Sequence, residues 1–306
     1  MQHVSSMSLL IAASFAISSL AAQDIEVTLL GTGNPGPTLD RFGPSTLIEA
    51  GDNLLIVDVG RGAMQRLWQL GISYGDIDAI FLTHLHSDHI VGLPDLWLTG
   101  WLFSARDRPL RIFGPPGTAN LVENLREAYA FDIAIRIDDD KLPIEGSILE
   151  VTEIEDGYVY EHDGIRVVTF DVDHRPVSPA LGYRIEFGGR KVLLSGDTRY
   201  SENLIENAMD VDLIIHEVVG ATSDFLESAS ASTQNAFAHH TTAREAGDIF
   251  TKSGTRAAAY SHLILLGDYD QARLISDTRQ AYDGPLFVGE DLMRFVIGDE
   301  VEVVAP

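Results

Sequence analysis

The chain has 306 residues, 45% of them hydrophobic and 22% charged, which supports a sizeable core and excludes a disordered chain. Its formal charge of −25 sets up a field that repels polyanions, and no basic run marks a phosphate-tracking face, so the balance argues against a nucleic-acid partner. Cysteine is absent, which excludes disulfides, thiolate metal ligands and cysteine nucleophiles together.

Ser8 to Ala22 is an apolar stretch closing on small residues, the pattern of a secretory signal cut near Ala21 or Ala22. It falls short of the about 20 apolar residues that a membrane span takes, and Met1 to Met7 lacks the usual Lys or Arg. The expected organisation is a signal peptide over 1–22 and one domain over 23–306. The mature protein is then expected in the periplasm or secreted, without stable membrane association. Ile25 to Leu30 reads as a strand entering the turn Gly31 to Gly36. Thr46 to Glu49 and Asn53 to Asp58 read as a hairpin, Met64 to Leu70 as a helix, and Asp78 to Leu82 as a buried strand. Trp97 and Trp101 lie one helical turn apart and read as core rather than as the wall of a substrate pocket. The acidic runs Asp138 to Asp140 and Glu153 to Asp156 read as solvated faces.

The order then repeats. Tyr183 to Glu186 and Lys191 to Leu194 form a second hairpin, Ser195-Gly196-Asp197 matches the earlier Val57-Asp58-Val59-Gly60 turn, and a helical stretch leads to the buried strand Asp212 to His216. Two such halves stacked sheet on sheet give a four-layer α/β/β/α sandwich. Metal or catalytic residues then gather where strands end along one edge.

The strongest chemical signal is His84-x-His86-x-Asp88-His89, directly after a buried strand. Alternate residues leaving a strand end point the same way, so His84 and His86 can grip one ion. After the turn, Asp88 and His89 face a second. Imidazole and carboxylate together suit zinc, with manganese or iron as rivals.

This motif resembles that of the metallo-β-lactamase superfamily, over about Glu26 to Val296. The resemblance implies a third histidine after a later strand, matched by His174, a bridging aspartate in a Ser-Gly-Asp-Thr turn, matched by Asp197, and a last histidine, matched by His262. It assigns His84, His86 and His174 to one ion, Asp88, His89 and His262 to the other, and Asp197 to both. His216-Glu217 and His239 look like elements of the ribonuclease Z and zinc arylsulfatase branch, in which the Glu orients a His that faces the leaving group. Asp88, Glu217 and His239 are the candidate catalytic residues on this reading, with His240 as the neighbouring alternative.

Three departures weigh against tRNA processing. Ribonuclease Z carries a long arm between its third histidine and the Ser-Gly-Asp-Thr turn, whereas His174 and Asp197 are joined here by little more than a hairpin. The Pro-x-Lys-x-Arg-Asn loop of that family maps to Pro37 to Phe42, which keeps Pro37 and Arg41 but not the lysine or asparagine. The signal-like N-terminus points to export, away from tRNA precursors. β-Lactamase activity is disfavoured because most zinc β-lactamases lack the aspartate matched by Asp197. The expected function is hydrolysis of a small sulfate or phosphate ester by a dinuclear site, arylsulfatase-like. The alternatives are a ribonuclease Z-like phosphodiesterase and, from another class, a non-catalytic metal-binding module. The sequence leaves monomer and homodimer open.

Overall fold

The computed structural model describes residues 24–104 and 106–306. The signal-like segment lies outside the described residues. Among the described residues, fifteen strands form two sheets. In chain order the first set is β1 (Ile25–Gly31), β2 (Ser45–Ala50), β3 (Asn53–Val57), β4 (Ala79–Phe81), β5 (Leu110–Gly114) and β6 (Leu149–Glu153). The second is β7 (Val159–His162), β8 (Ile165–Asp171), β9 (Leu181–Phe187), β10 (Arg190–Leu194), β11 (Leu213–Ala221), β12 (Ala257–Leu266) and β13 (Leu286–Val288). The chain then returns to the first sheet as β14 (Arg294–Ile297) and β15 (Val301–Val304). The orders are β15-β14-β1-β2-β3-β4-β5-β6 and β13-β12-β11-β10-β9-β8-β7.

Both faces of the central strands are apolar, because each sheet is covered twice. Val27, Leu29, Val57, Phe81, Val167, Tyr183, Leu194 and Ile215 form the core between the sheets. The alternate residues Leu30, Ile56 and Ile80 pack outward on the helices Ala63–Leu70 and Leu93–Ser104. Leu193, Ile214 and Ala258 pack outward near the helix Ala243–Ser253, whose Thr242 and Glu245 form a reciprocal capping box. This is the four-layer sandwich expected from the sequence. Trp97 and Trp101 are fully buried, and their indole N–H groups donate to the carbonyls of Ser147 and Pro143.

The internal repeat is structural. Hairpin β2–β3 is followed by β4 parallel to β3, and hairpin β9–β10 by β11 parallel to β10. Two strands run further than the sequence suggests. β11 continues past His216 to Ala221, and β12 continues past His262 to Leu266, pairing with it. The pairing shifts register between His216 and Val218, so Ser261 and His262 stand opposite Glu217 alone. An extra residue re-aims a side chain without ending the strand, and His262 sits at this bulge with φ 44°.

Candidate metal centre

Parallel strand β4 ends at Phe81, and the chain crosses the top of the sandwich as Thr83 to His86 before the short helix Ser87–Ile90, which carries Asp88 and His89. His84, His86, His174 and Asp197 can direct one ligand atom each to a common point, and Asp88, His89 and His262 do the same beside it. Asp197 Oδ2 lies 3.8 Å from His84 Nε2, 3.9 Å from His174 Nε2, 3.4 Å from His89 Nε2 and 3.4 Å from His262 Nε2. It therefore stands between the two groups, in a bridging position. Asp88 Oδ2 approaches His262 Nε2 at 3.2 Å and His89 Nε2 at 3.6 Å. His86 presents Nδ1 instead of Nε2, 3.3 Å from His174 Nε2. The structure thus brings together all the residues that the resemblance assigned as ligands, in the two predicted groups.

Electrostatics show that these groups fit a cation. Burial, aided by neighbouring His89, pushes His84 well below the ordinary histidine range, and burial brings His174 down to about 4. Neutral imidazoles are what a metal requires. His89 behaves oppositely: burial would lower its pKa, but Asp197 and Asp58 outweigh that and raise it well above the usual value. A proton there takes the place that a cation would hold. Nε2 of His84 and of His89 are buried with no hydrogen-bond partner among the described residues, and both face Asp197. A donor set of imidazoles and carboxylates without thiolates fits a divalent ion, typically zinc.

The support behind the ligands was only partly foreseen. In the internal repeat Asp58 directly follows β3 as Ser195 directly follows β10. Asp58 N donates to Phe81 O and Ser195 N to Ile215 O, and the side chains accept from Thr83 N and Glu217 N respectively. Asp58 thus serves the centre from behind: its Oδ2 accepts from His89 Nδ1 at 2.7 Å and from Thr83 Oγ1 at 2.8 Å. Two other ligand histidines are held similarly, His84 Nδ1 by Thr83 Oγ1 at 3.0 Å and His174 Nδ1 by the carbonyl of His239 at 3.1 Å. Such partners fix the ring and raise its basicity.

The expected Glu217–His239 pair needs correction. Glu217 Oε1 lies 3.2 Å from Nδ1 of His240, off the line of a good hydrogen bond, so the contact is an ion pair. Burial alone would lower the His240 pKa, but Glu217 beside it raises it to about 9. His239 contributes its backbone carbonyl to His174, and its ring is only partly buried, 6.2 Å from the His174 ring. The backbone decides between the two. Glu217 Oε1 accepts from Thr198 N at 3.1 Å and Thr241 N at 3.0 Å, and Thr241 Oγ1 donates to Thr198 O at 2.7 Å. That anchors residue 241 on the metal turn and leaves its neighbour, His240, against the carboxylate. The His240 ring lies 5.1 Å from the His174 ring and 5.6 Å from the His262 ring, at the centre's mouth.

Fold and centre together define a metal-dependent hydrolase of the metallo-β-lactamase superfamily. Among solved structures, the metallo-β-lactamase fold protein YhfI from Bacillus subtilis matches with TM-score 0.69 at 19% identity, over 90% of this chain and 100% of that one. Human tRNase Z, short form, matches with TM-score 0.66 at 22% identity, over 88% and 98%. Sequence relatives named Ribonuclease Z come from Mycobacterium marinum, 37% identical over 88% of this chain and 98% of the relative, and from Mycolicibacterium gilvum, 39% identical over 88% and 95%. A family model described as "Anti-Pycsar protein Apyc1" matches residues 25–229. The chain belongs to the ribonuclease Z branch of the superfamily, and the family model spans about two thirds of its length. These relatives overturn the expectation, drawn from net charge, that a nucleic-acid partner is unlikely. They are named for action on RNA.

Proposed function

We propose that this protein is a ribonuclease Z-like phosphodiesterase that cleaves RNA, using two zinc ions. The reading rests on one conjunction: a complete ligand set in a chain 37–39% identical, over 88% of its length, to proteins named Ribonuclease Z. The relatives favour phosphodiester cleavage over the sulfate-ester hydrolysis expected first from the sequence.

Bound divalent ions would lower the pKa of a water nucleophile and polarise the phosphoryl oxygens. His84, His86 and His174 would hold one, and Asp88, His89 and His262 the other, with Asp197 available to both. The chain's own residues then manage orientation and protons. Asp58, Thr83 and the His239 carbonyl keep the imidazoles turned inward. His240, held charged by Glu217, is placed to give a proton to the departing oxygen, a contribution typically worth about 10²–10⁴-fold. Asp88 is buried, which favours its neutral form, but His262 and His89 beside it together outweigh burial and lower its pKa.

No long arm separates His174 from Asp197, because hairpin β9–β10 occupies that interval within the second sheet. RNA contacts must therefore come from loops around the mouth. The test is a substrate panel with the zinc-loaded protein: a tRNA precursor carrying a 3′ extension, a short single-stranded RNA, bis-p-nitrophenyl phosphate and p-nitrophenyl sulfate. Cleavage of RNA and of the phosphodiester is expected. Turnover of the sulfate with no phosphodiester hydrolysis would overturn the reading.

A further inference from the structure

His240 stands at the end of a sparsely anchored segment. Between Ala221, where β11 ends, and buried Thr241, the chain forms the short helices Ser223–Ser228 and Ala231–Phe237. No residue from Ser223 to His240 is buried. The N–H groups of His239 and His240 donate to the carbonyls of Ala236 and Phe237, so both histidines continue the second helix and not the sheet. A segment with few buried contacts opens at low cost in free energy. The placement of the His240 ring therefore depends on how this segment is fastened to the metal turns.

Thr198 and Arg199, the two residues directly after Asp197, fasten it on both sides. Thr198 O accepts from Thr241 Oγ1 at 2.7 Å, just after His240. Arg199 Nε donates to Ala238 O at 2.6 Å, just before the two histidines. Arg199 is itself fixed to the residue preceding His174. Its backbone N donates to Asp173 O at 2.8 Å, and its Nη1 donates to Asp173 Oδ1 at 3.0 Å. Arg175 steadies the same carboxylate, donating from Nε at 2.9 Å and from Nη2 at 2.6 Å. A guanidinium is a rigid planar fork, so an anchored Nη1 also sets the direction of Nε.

We propose that Arg199 is a positioning residue for the reaction, holding His240 at the mouth by fastening the carbonyl of Ala238 to Asp173. An arginine beside the mouth of a phosphodiesterase invites a different reading, as a contact for substrate phosphate. Its geometry favours the loop: Nε and Nη1 are both engaged by protein oxygens, and Nε is aimed at the backbone that carries His240. The bridging aspartate, the residue before His174 and the proton donor are thereby tied through one side chain. This role rests on His240 as the proton donor and not on the identity of the RNA.

The test compares leaving groups in the zinc-saturated protein. Arg199→Met keeps the aliphatic stem and removes every donor. It should retain its metal and lose kcat on an alkyl phosphodiester by about 10–100-fold, the scale seen when a functional side chain loses its outer partner. The loss on bis-p-nitrophenyl phosphate should be far smaller, because nitrophenolate departs without a proton. KM for either ester should change by less than about threefold. On a His240→Ala background the same substitution should cost nothing further, since it acts through that ring. Equal losses on the two esters, a rise in KM alone (the mark of a phosphate contact) or additive losses in the double variant would overturn the proposal. If Arg199→Met does not fold, Arg199→Lys takes its place: it keeps a charge for Asp173 but lacks Nε, and the same leaving-group pattern is expected. A wild-type profile in Arg199→Lys would overturn the proposal too. His240→Ala alone separates the two readings. If it shows no leaving-group effect, the proton-donor reading fails and the role of Arg199 with it. If it shows the effect and the Arg199 variant does not, only the role of Arg199 fails.

Discussion

Asp58 offers the most direct test of how the centre is built. Its carboxylate accepts from Thr83 N, Thr83 Oγ1 and His89 Nδ1, all within 2.8 Å. It also has φ 58°, a left-handed conformation that asparagine tolerates nearly as well as aspartate. Asp58→Asn therefore spares the backbone and the side-chain volume. The amide oxygen can still accept from Thr83 N, and the Thr83 hydroxyl can rotate to accept from the new NH₂. His89 Nδ1–H has no such escape, because it would face a donor. The loss is one hydrogen bond to a charged acceptor, worth about 1.5–3 kcal/mol, or about 10- to 150-fold in affinity. Only the ion held by Asp88, His89 and His262 should feel it. Zinc titration against a chelating indicator, resolved into two steps, should show that step weakened by this factor and the other by less than about threefold. Equal weakening of both ions, or of neither, would refute the assignment of Asp58 as the brace for His89.

Three further outcomes are expected. Stripping the metal should abolish hydrolysis, zinc should restore it, and the double variant His84→Ala/His86→Ala should neither bind its share of metal nor recover activity. His240→Ala should keep the metal content and lose about 10²–10⁴-fold on an RNA or alkyl phosphodiester but far less on a nitrophenyl ester, which departs unaided. His239→Ala should leave that leaving-group dependence unchanged, and loss of an ion from His240→Ala would mark that residue as a ligand. Export is proposed from the apolar segment alone: the mature protein from its native host should begin near Ala22 or Gln23 by N-terminal sequencing, and an intact Met1 in the cytoplasmic fraction would refute it.

The parts legible in the sequence were those written locally. His84 to His89 place ligands for both ions on one turn, so their spacing alone states the chemistry. His174, Asp197 and His262 are far apart in sequence and became readable only through their order behind that turn. Asp58 was visible as part of a repeat, but no residue type marks Ser195 as its counterpart. The correspondence resides in backbone hydrogen bonds between parallel strands, which leave no residue signature. His239 and His240 are adjacent and identical, so residue type cannot choose between them. Thr241, locked to Glu217 and Thr198, makes the choice. The end of β11 was read at His216, before Glu217, since a functional residue inside a strand looks like its terminus. The bulge that holds it there appears only once the strands are paired.

Net charge misled for a related reason: it is a sum, and a substrate meets a local potential. With neutral imidazoles, two divalent ions against the carboxylates of Asp88 and Asp197 give a centre of +4 − 2 = +2 on the two-ion reading. Arg175 and Arg199 stand beside His174, both tied to Asp173. Asp139 is exposed, and the field of a surface acid is screened beyond a Debye length of about 8–10 Å. The acidity should therefore slow the approach of RNA without preventing a phosphodiester from seating. That makes the sign of the salt effect diagnostic. Proteins that track phosphates with Lys and Arg lose affinity steeply with salt, because binding releases condensed counterions. Here, with a formal charge of −25, added salt screens a net repulsion. The kcat/KM for RNA should hold level or rise between about 50 and 200 mM monovalent salt. A fall of about tenfold or more over that range would reveal a basic track of several phosphate contacts and refute the view that the metal centre supplies most of the attraction.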